Sequence, residues 1–300
     1  MPELPEVETV RASLARDIVG KKIKAVAVTN GRLVRRHKTA KEFRALTEGH
    51  SIRSAERLGK NLVFGLDNGT HLVVHLGMSG QLLRAHSAKD LKPKHTHVVF
   101  TFVQGGELRY VDPRTFGELY VSKGPVEGEE VEISKFARLS IGGDGLALRK
   151  AIPELAHLGI DPFEDQIGWD RFAAVLRSRS TALKAVLTDQ DIMAGIGNIY
   201  ADEILFAAGL RFDRESESLS TIEIRRLHRA IAEILTEAIK HGGSTLDDEQ
   251  FVDPDGQPGT YQNFHQVYNR EGLACFQCRQ PIVRETVRAR STFYCPKCQS

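Results

Sequence analysis

The 300-residue chain has no apolar run approaching the ~20 residues that a membrane-spanning helix needs. It also lacks an N-terminal basic stretch followed by an apolar core, so no secretory signal is read and a cytoplasmic setting is expected. Internal repeats and low-complexity segments are missing too. Cysteine is scarce: four residues, all after position 274. What remains is ordinary for a soluble globular protein, with 41% hydrophobic and 27% charged residues. The length allows two domains and a small appendage.

Net charge is only +2, but it is unevenly placed. Residues 21–60 hold twelve Lys/Arg against three Glu, and residues 270–300 hold six against two. Such basic stripes are the footprint of a phosphate-binding surface, although solvated faces produce them as well. Acidic stretches around 127–132 and 247–255 point away from a polyanion.

The opening Met1-Pro2-Glu3-Leu4-Pro5-Glu6-Val7-Glu8 is the most informative segment. A small second residue permits removal of Met1, leaving Pro2 with a free secondary amine. An α-amino group titrates near ~7.7–8.0, so a neutral nucleophilic fraction exists at physiological pH. Such an amine can attack carbon and form an iminium. Glu3 and Glu6 lie within one turn of it and offer carboxyl groups for proton transfer. Pro5 with its flanking acids also suits a helix start, continuing towards Gly20.

Strand-like runs at 23–28, 71–76, 97–102 and 118–121, rich in β-branched and aromatic residues, alternate with turn signals at 67–69, 105–106 and 124–125. This predicts a sandwich or barrel. Composition changes near 141–145, which places a linker at 136–160. Beyond it, 169–177, 182–188, 198–208 and 220–240 show helical apolar spacing, the last opening on the capping box Ser220-x-x-Glu223 and closing at Gly242-Gly243.

Cys275-x2-Cys278 and Cys295-x2-Cys298 are sixteen residues apart, a spacing suited to one tetrahedral four-thiolate zinc site. Two disulfides are the competing assignment, disfavoured in an intracellular chain. A closed sulfur shell would hold shape and activate no water. Between the pairs, Arg288-Ala289-Arg290-Ser291-Thr292-Phe293-Tyr294 reads as a hairpin offering phosphate ligands. A second anion site is read at Gly195-Ile196-Gly197-Asn198, where two glycines precede a helix start.

These segments, with Leu58-Gly59-Lys60, His75-Leu76-Gly77-Met78-Ser79-Gly80, Lys94-His95-Thr96-His97 and Asp112-Pro113-Arg114-Thr115-Phe116-Gly117, resemble the bacterial formamidopyrimidine-DNA glycosylases over the whole chain and in the same order. The resemblance implies an α+β multidomain fold. An N-terminal β-sandwich with an N-terminal helix would occupy 1–135, and a helix-two-turn-helix domain 161–261, including a lesion-recognition loop at 244–260. A zinc-ribbon finger would occupy 262–300. It further implies a glycosylase/AP lyase that excises oxidised purines from duplex DNA as a monomer, with one structural zinc and no catalytic cofactor.

Carried over by position, Pro2 would attack C1′ of a flipped nucleotide. Glu3 would serve as general acid, and Glu6 would support that site. The imine would then allow β,δ-elimination to a one-nucleotide gap. Lys60, Asn198 and Arg290 match phosphate grips. His75, His95 and His97 fall near the DNA backbone or are strand histidines with local bonds. Met78, Arg114 and Phe116 would fill the void left by the flipped base.

Two features depart from the family pattern. Thr115 stands where some members have a second arginine, and 244–260 carries five acids and no Lys or Arg. An acidic loop near DNA costs Coulomb energy unless it folds away or reads base donors. The rival readings are an endonuclease VIII-like enzyme for oxidised pyrimidines and a non-catalytic DNA-binding protein.

Overall fold

Apolar residues at 4, 7, 10, 14 and 18 fall on one face of a helix, and Pro5 fits its first turn. These residues form α1 (Leu4–Ile18) and all five are buried. The computed structural model describes residues 1–246 and 251–300. After α1 come β1 (Ile23–Val28), α2 (Ala40–Thr47), β2 (Ile52–Leu58), β3 (Asn61–Leu66), β4 (His71–His75), β5 (Gln81–Ala85), β6 (Thr96–Phe102), β7 (Glu107–Val111) and β8 (Glu118–Ser122). Thr39 caps α2 by accepting the Glu42 N–H at 3.1 Å.

The strands form two four-stranded antiparallel sheets, ordered β1-β6-β7-β5 and β2-β3-β4-β8. Their inward side chains share one core with the apolar face of α1, including Val26, Phe64, Val98, Phe100, Leu108 and Leu119. This is the sandwich expected from the sequence. Phe251, far along the chain, belongs to the same core and is 6% exposed.

Two compact units result. One comprises residues 1–130, 151–154 and 241–262; the other comprises 131–150, 155–240 and 263–300. The linear division drawn from the sequence put 241–261 in the helical domain. Here that segment packs with the sheets because Phe251 enters their core and Ser244 bonds to Glu6. The stretch 136–160, read as linker, is folded. It contains α3 (Gly145–Ala151), whose Arg149 is fully buried against Asp165 at 2.9 Å and donates to the Leu158 carbonyl at 2.9 Å.

The second unit continues with α4 (Trp169–Arg177), α5 (Leu183–Thr188), α6 (Asn198–Ala208) and α7 (Thr221–Lys240). It ends in the hairpin β9 (Val283–Val287) and β10 (Arg290–Tyr294). Ser220 and Glu223 form the expected capping interaction at the start of α7, with Glu223 accepting the Ser220 N–H at 2.8 Å. Among the described residues no helix is long and apolar enough to cross a membrane.

Candidate active site and nucleic-acid interface

Met1 is 51% exposed and Pro2 behind it is buried at the head of α1. Glu3 is the N-cap and Glu6 occupies the third helical position, an arrangement of capping-box type. The Glu6 carboxylate accepts the Glu3 N–H at 2.8 Å with one oxygen and the Ser244 N–H at 2.7 Å with the other. Both glutamates are buried, at 3% and 1% exposure. Gly243 has φ +78, and a Cβ there would lie 2.6 Å from the Glu6 carboxylate, so this turn needs glycine. Pro2 and Glu3 are thereby held in place by a carboxylate clamped from two directions.

The loop that follows was expected to present acids. Asp247, Asp248 and Glu249 lie outside the described residues. The other two have partners within the first unit. Asp253 accepts the N–H groups of Asp255 and Gln257 at 2.9 and 2.8 Å, and Asp255 is 3.1 Å from the Arg84 guanidinium. The Arg84 N–H also donates to the Pro254 carbonyl at 2.8 Å, so this part of the loop is laid along β5.

Lys60 sits in the β2–β3 turn and is 7% exposed. Arg57, 1% exposed, holds that turn by donating to the Gly59 carbonyl at 2.9 Å and to Glu8 of α1 at 3.2 Å. Glu8 also pairs with Arg11 at 2.6 Å. The helix that carries Pro2 and the turn that carries Lys60 are therefore joined through a buried ion pair.

His75 pairs with Asn61 beside this turn, and its Nδ1 accepts the Gly77 N–H at 3.1 Å. Burial pushes its imidazole down to about 4, with Lys60, Arg35 and Arg36 acting the same way against an opposing pull from Glu118. His75 is thus a neutral strand histidine at physiological pH. His95 is exposed with φ 62, and His97 donates from Nε2 to the Asp112 carbonyl at 3.2 Å.

Met78 and Phe116 are 36% and 46% exposed, unusual for large apolar side chains. Gly77, with φ +65, lets their two loops meet: a Cβ there would lie 2.6 Å from the Gly117 nitrogen. Arg114 lies over the Phe116 ring at 5.0 Å. The three side chains expected to act together therefore project from adjoining loops of one unit.

In the second unit, Asn198 begins α6 and its amide donates to the Ser291 carbonyl of β10 at 2.8 Å. Lys184 of α5 donates to Thr292 Oγ1 at 2.8 Å and lies 2.6 Å from Asp202, whose other oxygen accepts the Phe293 N–H at 2.9 Å. Burial pushes Asp202 up to about 7, while Lys184 and the Phe293 N–H pull it back. Glu203 accepts three consecutive N–H groups, from Gln266, Val267 and Tyr268, at 2.8, 2.9 and 2.8 Å. One face of α6 thus anchors the C-terminal segment. Arg290 is exposed at the start of β10, and Arg288 and Ala289 form the two-residue turn with φ 48 and 63. Lys184, Asn198, Arg288 and Arg290 line a groove of about 630 Å³.

The four cysteines carry no disulfide, and their sulfurs lie within 4.8 Å of one another. Cys275–Cys298 and Cys278–Cys295 are 3.9 and 3.4 Å apart. A tetrahedral ion with ~2.3 Å bonds to sulfur needs edges of about 3.8 Å, so the four thiolates fit one structural zinc ion.

Sequence reading did not single out Arg57, Asp112, Lys184, Asp202, Glu203 or Ser244. A charged residue beside an expected ligand, as Arg57 is to Lys60, was the signal available for the first. Asp112 before Pro113 is an Asx-turn signal.

Residues 1–119 match the formamidopyrimidine-DNA glycosylase N-terminal domain, 158–250 the H2TH domain of the same family, and 272–300 a zinc finger found in FPG and IleRS. Formamidopyrimidine-DNA glycosylases of Halalkalibacterium halodurans and Thermus thermophilus are 38% and 39% identical over 100% of this chain and 100% and 98% of their own length. Among solved structures, the MutM (FPG) protein of Thermus thermophilus superposes with a TM-score of 0.81 at 38% identity, covering 99% of this chain and 98% of that one. Lactococcus lactis Fpg in complex with abasic-site DNA superposes with a TM-score of 0.80 at 33% identity, covering 99% of both chains.

Proposed function

We propose, for a chain that belongs to the formamidopyrimidine-DNA glycosylase family, that Pro2, Glu3 and the groups bracing them carry out its chemistry. The protein is a DNA glycosylase and AP lyase of base excision repair, acting on oxidised purines in DNA. Its zinc holds the C-terminal finger in shape.

The observation that carries the residue assignment is the clamp on Glu6, which fixes the backbone of Glu3 and with it the position of Pro2. After removal of Met1, the Pro2 nitrogen attacks C1′ of the extrahelical nucleotide and the bond to the base breaks. The Glu3 carboxyl protonates the sugar ring oxygen, the ring opens, and the nitrogen lone pair completes an iminium. Loss of a proton from C2′ then expels the 3′ phosphate, and a second elimination expels the 5′ phosphate. Lys60 in the first unit, and Asn198 and Arg290 in the second, supply phosphate contacts. Met78, Arg114 and Phe116 occupy the space vacated by the nucleotide, with the arginine facing the orphaned base. The enzyme works as a monomer on chromosomal DNA in the cytoplasm.

Borohydride trapping of the Met1-processed protein on a duplex with 8-oxoguanine opposite cytosine tests this reading. An adduct mapped to Pro2 is expected, with loss in Pro2→Gly. A Pro2→Gly enzyme that excises and traps at the wild-type rate rejects the nucleophile assignment.

A further inference from the structure

Asp112 is completely buried. A buried carboxylate needs its lone pairs occupied, and here they are filled by two separate loops. Oδ1 accepts the Ser79 hydroxyl at 2.7 Å and the Arg114 N–H at 3.2 Å. Oδ2 accepts the Gly117 N–H at 2.9 Å. The backbone of Asp112 is equally engaged: its N–H donates to the His95 carbonyl at 3.0 Å and its carbonyl accepts from His97 at 3.2 Å. One residue therefore ties together the neighbours of Met78, Arg114, Phe116, His95 and His97.

The packing beneath admits little movement. Tyr110, 0% exposed, donates its hydroxyl between the His75 and Leu76 carbonyls at 3.3 Å each. A Cβ on Gly80 would lie 2.4 Å from that hydroxyl, and one on Gly117 would overlap it. The half-exposed Met78 and Phe116 thus stand on a rigid base, which is what a wedge between bases requires.

We infer that Asp112 is the positioning residue that sets the Met78 loop and the Arg114–Phe116 loop in register, so that the three side chains enter the vacated space as one unit. The inference rests on the void-filling reading of those side chains. Asp112 touches neither the reacting sugar nor Pro2's chemistry. Its effect is therefore confined to substrates that have an opposite base and a stack to hold open.

The test compares two reactions of the full-length enzyme. One is single-turnover excision of 8-oxoguanine from duplex DNA, opposite cytosine and opposite adenine. The other is borohydride trapping at an abasic site in a single-stranded oligonucleotide. In Asp112→Asn an amide N–H group faces the N–H of Gly117 or the Ser79 and Arg114 donors, so the two loops lose their common anchor. Duplex excision is expected to fall about 10- to 100-fold, as a displacement near 1 Å does. Discrimination between the opposite bases should narrow, and single-strand trapping should keep the wild-type rate. Ser79→Ala removes the hydroxyl's bonds to Asp112 and from the Arg114 N–H but leaves the direct bonds of Asp112 to Arg114 and Gly117, and should show the same pattern more weakly.

Parallel loss on both substrates would reduce Asp112 to a folding role, and unchanged duplex excision would remove it from the site. Met78→Ala/Phe116→Ala separates this inference from the reading beneath it. If that double variant excises at the wild-type rate, the void-filling reading falls and the inference with it. If it is impaired while Asp112→Asn is not, only the positioning role is overturned.

Discussion

Glu6 and Ser244 are 238 residues apart in the chain and joined by a 2.7 Å hydrogen bond from the Ser244 N–H to the Glu6 carboxylate. The other oxygen of that carboxylate holds the Glu3 N–H. A carboxylate accepts one bond at each of its two oxygens, whereas an amide replaces one of those acceptors with a donor NH2. In Glu6→Gln one N–H is left facing a donor in a buried site, a cost of about 1–3 kcal/mol. Duplex excision by this variant should drop about tenfold or more, since ~1.4 kcal/mol is one decade. Single-turnover kinetics together with urea unfolding check the two effects.

Arg57 bridges Glu8 and the Gly59 carbonyl with two edges of one guanidinium. Lysine keeps the charge but cannot span both acceptors. Arg57→Lys should therefore loosen the Lys60 turn and weaken DNA binding, while Glu8 keeps Arg11 at 2.6 Å. Arg57→Ala should cost about 3 kcal/mol or more as a broken buried pair. Equal DNA affinity for wild type and Arg57→Lys would disconnect this residue from Lys60.

His75 titrates near 4 in the folded protein because burial, Lys60, Arg35 and Arg36 outweigh Glu118. An unfolded histidine titrates near ~6.5. Between these values the unfolded chain binds the additional proton, so stability is full above the unfolded value and declines as pH falls through the folded one. His75→Gln should flatten that decline. Urea midpoints of both proteins, measured from neutral pH down to about pH 4, will show whether the slopes differ as linkage requires.

Metal removal should act beyond the finger. Lys184, Asn198 and Asp202 all bond to Ser291–Phe293 on β10, the strand that runs into Cys295. Cys295→Ser, or chelation of the wild type, is expected to lower the melting temperature. Duplex affinity should fall about tenfold or more as the Arg290 contact is lost. Retained affinity in a metal-free variant would show the ribbon to be dispensable.

Much of this was legible because local chemistry and fold agree. The spacing of Leu4, Val7, Val10, Leu14 and Ile18 marks a helix, and 169–177 and 198–208 are read to the residue. Of the strands missed in the first unit, β2 and β7 carry charge on buried positions. In β7, Glu107 and Arg109 pair at 2.8 Å and are buried together, so the segment does not alternate as a half-exposed strand does. In β2, buried Arg57 sits among small and polar residues for the same reason. The membership of 241–262 in the first unit could not be read from sequence, because it depends on Phe251 and Ser244 meeting residues more than 100 positions away. Asp112 before Pro113 carries a turn signal that was not used, and its two-loop role exists only once β7 and the 76–80 turn are adjacent.

The first unit is assembled from three separated stretches, and this orders its birth on the ribosome. Synthesis runs from the N-terminus, and domains ordinarily fold as they emerge. Here the first 130 residues emerge without Phe251 for their core and without Ser244 for Glu6. Residues 131–240 must be translated before either arrives. A nascent chain stalled before residue 244 thus presents Pro2 and Glu3 on an unfinished scaffold, without the Ser244 bond to Glu6 or Phe251 in the core.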